Sequence, residues 1–135
     1  MAVIFSASAD AGSAQHTSRF LAPVLHWLFP HLSAQGIGEL VFIVRKIAHV
    51  VEYAVLGVLL WWALRSSVRG DPRPWSWRNA GLALGLATLY AASDEVHQLF
   101  IPSRQGSAQD VVIDACGAAG GLLLLWLFRR VRKRP

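Results

Sequence analysis

Apolar residues recur along the chain in three long stretches separated by two polar breaks. The first stretch covers 37–64 and contains Val41-Phe42-Ile43-Val44 and the dense run from Ala54 to Leu64. The second covers 79–100. The third covers 110–128 and closes on four consecutive leucines, Leu122 to Leu125, then Trp126, Leu127 and Phe128. A helix crosses a bilayer with about 20 mainly apolar residues, so the pattern predicts an all-α polytopic membrane protein with three full transmembrane helices. In the first break Gly70, Pro72 and Pro74 stop a helix, and in the second Pro102 and Gly106 do so.

The N-terminal region follows another rule. Residues 1–9 are apolar but too short to span, and no basic residue precedes them, so they make a poor signal peptide. Over 18–30, Phe20, Leu21, Val24, Leu25, Trp27 and Leu28 share one face at helical spacing between Ser18 and Pro30. That predicts a short amphipathic helix lying in the membrane interface. His16, His26 and His31 belong to this region and are expected at solvent or headgroups. The whole chain, 1–135, reads as a single domain ending in a basic tail, 129–135.

Composition supports the membrane reading. Hydrophobic residues make up 54% of the chain and charged residues 16%, against about 25% charged in soluble domains. So small a soluble fold would lack polar groups to cover its surface, and so apolar a chain is not disordered. The single cysteine, Cys116, excludes an internal disulfide and a multi-thiolate metal site; in its apolar run it reads as an inert small residue.

The net charge of +5 takes its meaning from its distribution. Arg65, Arg69, Arg73 and Arg78 lie in the first break, and Arg129, Arg130, Arg132, Lys133 and Arg134 follow the third stretch, nine of the thirteen basic residues. The positive-inside rule assigns that face, and with it the C-terminus, to the cytoplasm of a multi-pass membrane protein. Topology accounts for the basic excess, so the bilayer, and not nucleic acid, is the expected partner. The 101–109 turn then faces outward.

Ionisable residues inside spans are costly, and their placement is informative. Arg45, Lys46, His49, Glu52 and Tyr53 fall within an arc of about 120° on a helix turning 100° per residue, with Ile43, Val44, Ile47, Val50, Val51 and Val55 around the rest. The second stretch ends with Tyr90, Asp94, His97 and Gln98 on one face and Glu95 on its flank; the third opens with Asp110 and Asp114 at i, i+4. Gly117 and Gly121 continue that line and would admit a neighbouring backbone, as would the similar ridge of Gly81 and Gly85. With alternating topology, all these polar groups reach the same outward depth, beneath Arg104 in the turn.

The same residues carry a family resemblance. Arg45-Lys46-x-Ala48-His49-x-x-Glu52-Tyr53-x-x-Leu56-Gly57 resembles the first signature of the VanZ-like membrane protein family. Asp94-Glu95-x-His97-Gln98-x-Phe100-x-Pro102-x-Arg104-x-Gly106-Ser107-x-x-Asp110, continued by Asp114, Gly117 and Gly121, resembles the second. Ile4-Phe5-Ser6 resembles the exit from the family's first helix, which makes 1–9 the remnant of that helix. The resemblance implies a small polytopic protein of a family named after a member linked to teicoplanin resistance, with no reaction established.

Four functions stay open on the residues. Arg45, Lys46 and Arg104 can engage an anionic lipid or cell-envelope precursor while His49, Glu52, Tyr53, Asp94, Glu95, His97, Gln98, Asp110 and Asp114 complete the site. His49 or His97 beside Asp94 or Glu95 can serve as acid/base in a membrane hydrolase or transferase. His49, His97 and carboxylates can form a metal site, although no cofactor is expected and no metal or nucleotide fingerprint is present. The cluster can also be purely structural, its charges paired to hold three helices together.

Overall fold

Serine starts three of the helices. Ser33 accepts the amide of Gly36 through its hydroxyl at 3.2 Å, Ser76 that of Asn79 at 3.3 Å, and Ser107 that of Gln109 at 3.2 Å. Each satisfies an amide that the helix cannot bond internally. In the computed structural model these caps open α2 (Ala34–Ser66), α3 (Trp77–Gln98) and α4 (Ala108–Val131), preceded by α1 (Ala14–Leu28). The structure describes residues 14–66, 75–100 and 107–132, with 14–20 described by backbone alone. The 1–9 segment, Arg104 and the middle of both polar breaks lie outside the described residues.

Among these residues the protein is all-α. Two helices, α2 and α4, are long and apolar enough to cross a membrane. α3 is less apolar, because its last turns carry Asp94, Glu95, His97 and Gln98. α2 reaches 33 residues, beginning earlier than the apolar stretch because Ser33 caps it ahead of Ile37. α1 begins at Ala14, ahead of Ser18, and carries Pro23 within it. Leu25 of α1 packs on Ile37 and Val41 of α2, and Trp27 at 80% exposure projects outward with Val24, Leu28 and Phe29.

Helices α2, α3 and α4 contact one another in all three pairs. The side of α3 that meets its neighbours is a line of alanines, Ala80, Ala83, Ala87 and Ala91, all buried, while Leu82, Leu86 and Leu89 face outward. This inverts a water-soluble helix: small residues inside, large apolar ones outside. The ridge of Gly81 and Gly85 therefore points away from the bundle, with nothing within 4 Å of where their Cβ atoms would be. Gly117 and Gly121 behave as expected. A Cβ on Gly117 would lie 2.6 Å from the Val50 carbonyl oxygen, and one on Gly121 would collide with that of Ala54. α2 and α4 meet backbone to backbone there.

The core lies in two layers. Tyr53, Leu56, Ala87, Ala91 and Ala118 form one; Trp61, Ala80, Ala83 and Leu122 form the other. Beyond the first layer the α3 alanine line continues at the same spacing into Asp94 and Gln98, which are buried too. The packing face of α3 thus becomes polar at one end of the bundle.

Candidate functional site

The polar end is built from three helix segments. α2 supplies Arg45, Lys46, His49, Glu52 and Tyr53; α3 supplies Tyr90, Asp94, Glu95, His97 and Gln98; α4 opens with Asp110 and Asp114. Asp110 occupies the first turn of α4, where the positive end of the helix dipole favours an anion. Lys46 Nζ forms an ion pair with Asp110 Oδ1, each side chain about a third exposed. One turn deeper, His49 Nδ1 lies 3.7 Å from Asp114 Oδ1, and Asp114 is buried. The i, i+3 step on α2 thus matches the i, i+4 step on α4.

The α3 carboxylates are held differently. Gln98 Nε2 donates to Asp94 Oδ2 at 3.1 Å and to Glu95 Oε1 at 3.3 Å. The backbone amide of Ser107 donates to Glu95 Oε2 at 2.7 Å. Glu95 therefore clasps the entrance of α4 to the end of α3. Ser107 acts as helix cap and carboxylate donor together, a role that motif reading of the sequence passed over. Asp94, Glu95 and Gln98 are all buried, as an orienting floor must be.

Some polar atoms in this well are left over. The Tyr53 hydroxyl and Asp114 Oδ2 are among the buried atoms that find no hydrogen-bond partner within the described residues. Such groups cost about 1–3 kcal/mol each when unpaired, and nearly all buried polar groups in folded proteins find partners. Tyr53 is fully buried, with its ring 6.5 Å from that of Tyr90. A phenol hydroxyl and a carboxylate oxygen thus lie buried beneath an ion pair whose side chains are about a third exposed.

Arg45 and Glu52 are half-buried on α2 and form no ion pair among the described residues. His97 is half-buried at the end of α3. His26 and His31 are exposed, as is Cys116. Among the described residues no three of His, Cys, Asp and Glu gather as metal ligands, so the metal alternative gains no geometric support.

The opposite end has a contrasting chemistry. Trp75 stacks on the buried Trp61 at 4.8 Å, Trp77 meets Trp75 edge-on at 5.6 Å and Trp126 at 5.7 Å. Arg65 and Arg129 both lie over Trp61, at 5.3 and 4.6 Å, and Arg130 over Trp126 at 5.2 Å. Carboxylates mark one end of the bundle, and arginines on tryptophans the other. Comparison with curated proteins and with solved structures gave no significant match. The family model described as VanZ/LLP1 matches residues 1–129. That match spans both polar signatures and the helices up to the last turn of α4, and the chain belongs to the VanZ-like family.

Proposed function

We propose that the protein is a multi-pass protein of the bacterial cytoplasmic membrane whose outward polar well binds or acts on an anionic lipid or cell-envelope precursor, with a consequence for glycopeptide (teicoplanin) susceptibility. In this reading α3 crosses the membrane with α2 and α4, which its inverted packing supports: alanines inward, Leu82, Leu86 and Leu89 outward. The basic break and tail stay in the cytoplasm.

The observation that carries the reading is the pair of buried atoms, Tyr53 Oη and Asp114 Oδ2, that find no hydrogen-bond partner among the described residues. Arg45 and Lys46 form the cationic rim that would meet a phosphate or carboxylate, and Arg104 of the second polar break is the third cation of the proposed set. The buried atoms beneath would receive hydroxyl or amide groups of the same ligand. A guanidinium can grip an oxyanion with two parallel hydrogen bonds, which lysine cannot reproduce. A second reading, hydrolase or transferase chemistry, is favoured by His49. Its Nδ1 faces the buried Asp114, the arrangement in which a carboxylate orients an imidazole acid/base.

The test uses cells depleted of their native copy and complemented with variants, with teicoplanin susceptibility as readout. Arg45→Gln, Arg104→Lys and Tyr53→Phe should each lose complementation while the protein accumulates in the membrane as wild type does. Asp114→Asn should share the loss. Full complementation by all four would leave a structural ion-pair cluster as the better account.

A further inference from the structure

Two atoms on the floor of the well define the group that would complete it. Asp114 turns one carboxylate oxygen toward His49. Its other oxygen, Oδ2, and the Tyr53 hydroxyl find no hydrogen-bond partner among the described residues, and the residues that carry them are 1% and 0% exposed. Both belong to one level of the bundle: Tyr53 packs with Ala118, and Ala118 follows Asp114 by one turn of α4. The backbone fixes their spacing. A Cβ on Gly117 would lie 2.6 Å from the Val50 carbonyl oxygen, so α2 and α4 have no room to slide together. The Tyr53 ring is itself held among Leu56, Ala87 and Ala91. Phenylalanine would fill that place without stranding a hydroxyl, which is a cost to the fold.

One chemical group answers both atoms. A phenol donates and a carboxylate accepts, so an alcohol takes the Tyr53 proton on its oxygen and gives its own proton to Asp114 Oδ2. An ammonium would donate to both and leave the phenol proton stranded. A phosphate there would be set against Asp114. The Lys46–Asp110 pair stands nearer the mouth, about 6 Å away by the rise from Asp110 to Asp114. Its side chains are about a third exposed, so this pair, and not the core, gives way to an entering group. Asp110 lies in the first turn of α4, where the helix dipole steadies it when Lys46 turns to a phosphate.

We propose that the well selects an anionic phospholipid with a free hydroxyl between its phosphate and its tail, as in monoacyl glycerophospholipids. Arg45 and Lys46 meet the phosphate, the Tyr53 hydroxyl and Asp114 Oδ2 hold the alcohol, and the tail lies in the surrounding hydrocarbon. The inference rests on the reading of the well as a site for an anionic ligand, and it narrows that ligand. In the topology proposed above, the floor of the well lies on the bilayer side of its rim. The order from the mouth inward is therefore phosphate, hydroxyl, tail. A diacyl lipid carries an ester in place of that hydroxyl and has no proton to give Asp114. Any hydroxyl of its headgroup sits on the water side of the phosphate, away from the floor.

The experiment is native mass spectrometry of the full chain released from detergent. Three lipids with the same acyl chain are supplied in equal, submicellar amounts: lysophosphatidic acid, the same lipid with its free hydroxyl methylated, and lysophosphatidylcholine. Wild-type protein should retain the free-hydroxyl acid over its methyl ether by about tenfold, the effect of leaving two buried groups unsatisfied. Tyr53→Phe, which keeps the ring and its packing, should bring that ratio close to one while the ether stays bound as before. Asp114→Asn should lower the ratio as well. Arg130→Gln, at the opposite end of α4, should change nothing. Equal retention of acid and ether by wild type overturns the proposal and leaves the two atoms to a buried water. An unaltered preference in Tyr53→Phe overturns it too. Displacement of the bound lipid by millimolar glycerol phosphate would overturn the tail and with it the lipid assignment. The choline lipid separates the two levels. If it is retained as well as the acid, the anionic-ligand reading itself falls. If acid and ether are retained equally, and both above the choline lipid, only the hydroxyl selectivity falls.

Discussion

Adding one methyl group to either of two adjacent glycines of α4 should move stability in opposite directions. Gly120 has open space where its Cβ would be. Alanine there removes the backbone freedom of glycine and should stabilise the helix by up to about 1 kcal/mol. Gly121 gains the same term, but its Cβ would collide with the Ala54 carbonyl oxygen and sit 2.9 Å from both the carbonyl carbon and Cα of that residue. Those are backbone atoms, so no rotamer change relieves the overlap. The helices must part by something near 1 Å before ordinary contact is restored, and a gap of that size forfeits a quarter to a half of each dispersion contact along the seam. Overpacking of this kind costs about 1–3 kcal/mol, which exceeds the propensity gain. Gly121→Ala should therefore be destabilised by up to about 2 kcal/mol net, with Gly120→Ala neutral or stabilised. Helical circular dichroism during denaturant titration in a mild detergent measures both. A Gly121→Ala protein as stable as Gly120→Ala would refute the close approach of α2 and α4. Parting those helices would also lengthen the His49–Asp114 separation, so complementation should fall in the same variant.

Three other outcomes follow from the site. Tyr53→Phe removes a buried hydroxyl that finds no partner among the described residues, and should raise the stability of ligand-free protein by about 1 kcal/mol while abolishing complementation; lost stability would mean that the hydroxyl is satisfied internally. A double-mutant cycle on Lys46→Met and Asp110→Asn should give a coupling of about 1–3 kcal/mol, between the values for exposed and buried pairs because each side chain is about a third exposed; a coupling near zero would make the pair incidental. In a Cys116→Ala background, chosen because Cys116 is exposed, Ser107→Cys should react with an impermeant thiol reagent on intact cells and Ser76→Cys should not. The reverse pattern would turn the polar well toward the cytoplasm.

Periodicity made much of the site legible, for a physical reason. A charged residue within a span has few affordable orientations, so Arg45, Lys46, His49 and Glu52 declare their face by spacing alone. Which cation meets which carboxylate was not legible, because Asp94, Glu95 and Asp110 all reach the same depth. Helix register decides it: Lys46 takes Asp110, His49 takes Asp114, and Glu95 goes to the Ser107 amide. Glycine spacing pointed correctly at Gly117 and Gly121 but equally at Gly81 and Gly85, which the bundle leaves outside. The alanine line of α3 carried the true packing face. Spacing shows where close approach is permitted; only the competing face shows where it is taken.

The length of α2 has a mechanical consequence. Its 33 residues rise about 50 Å, well beyond a hydrocarbon layer of about 30 Å. Even at a tilt of about 40°, the upper end of the ordinary range, such a rod still exceeds that thickness, so part of it extends beyond the hydrocarbon. In the proposed topology Arg65 marks the cytoplasmic limit, which would put the surplus at the other end, where α1 is strapped to Ile37 and Val41. Hydrophobic mismatch then acts on the polar well directly. Lys46 and Arg65 are separated by about 29 Å of rise, close to the thickness of the hydrocarbon. Longer lipid tails would draw the Lys46–Asp110 pair below the headgroups, and shorter ones would lift it into water. In that topology bilayer thickness would control access to the well, through the reach of one uninterrupted helix.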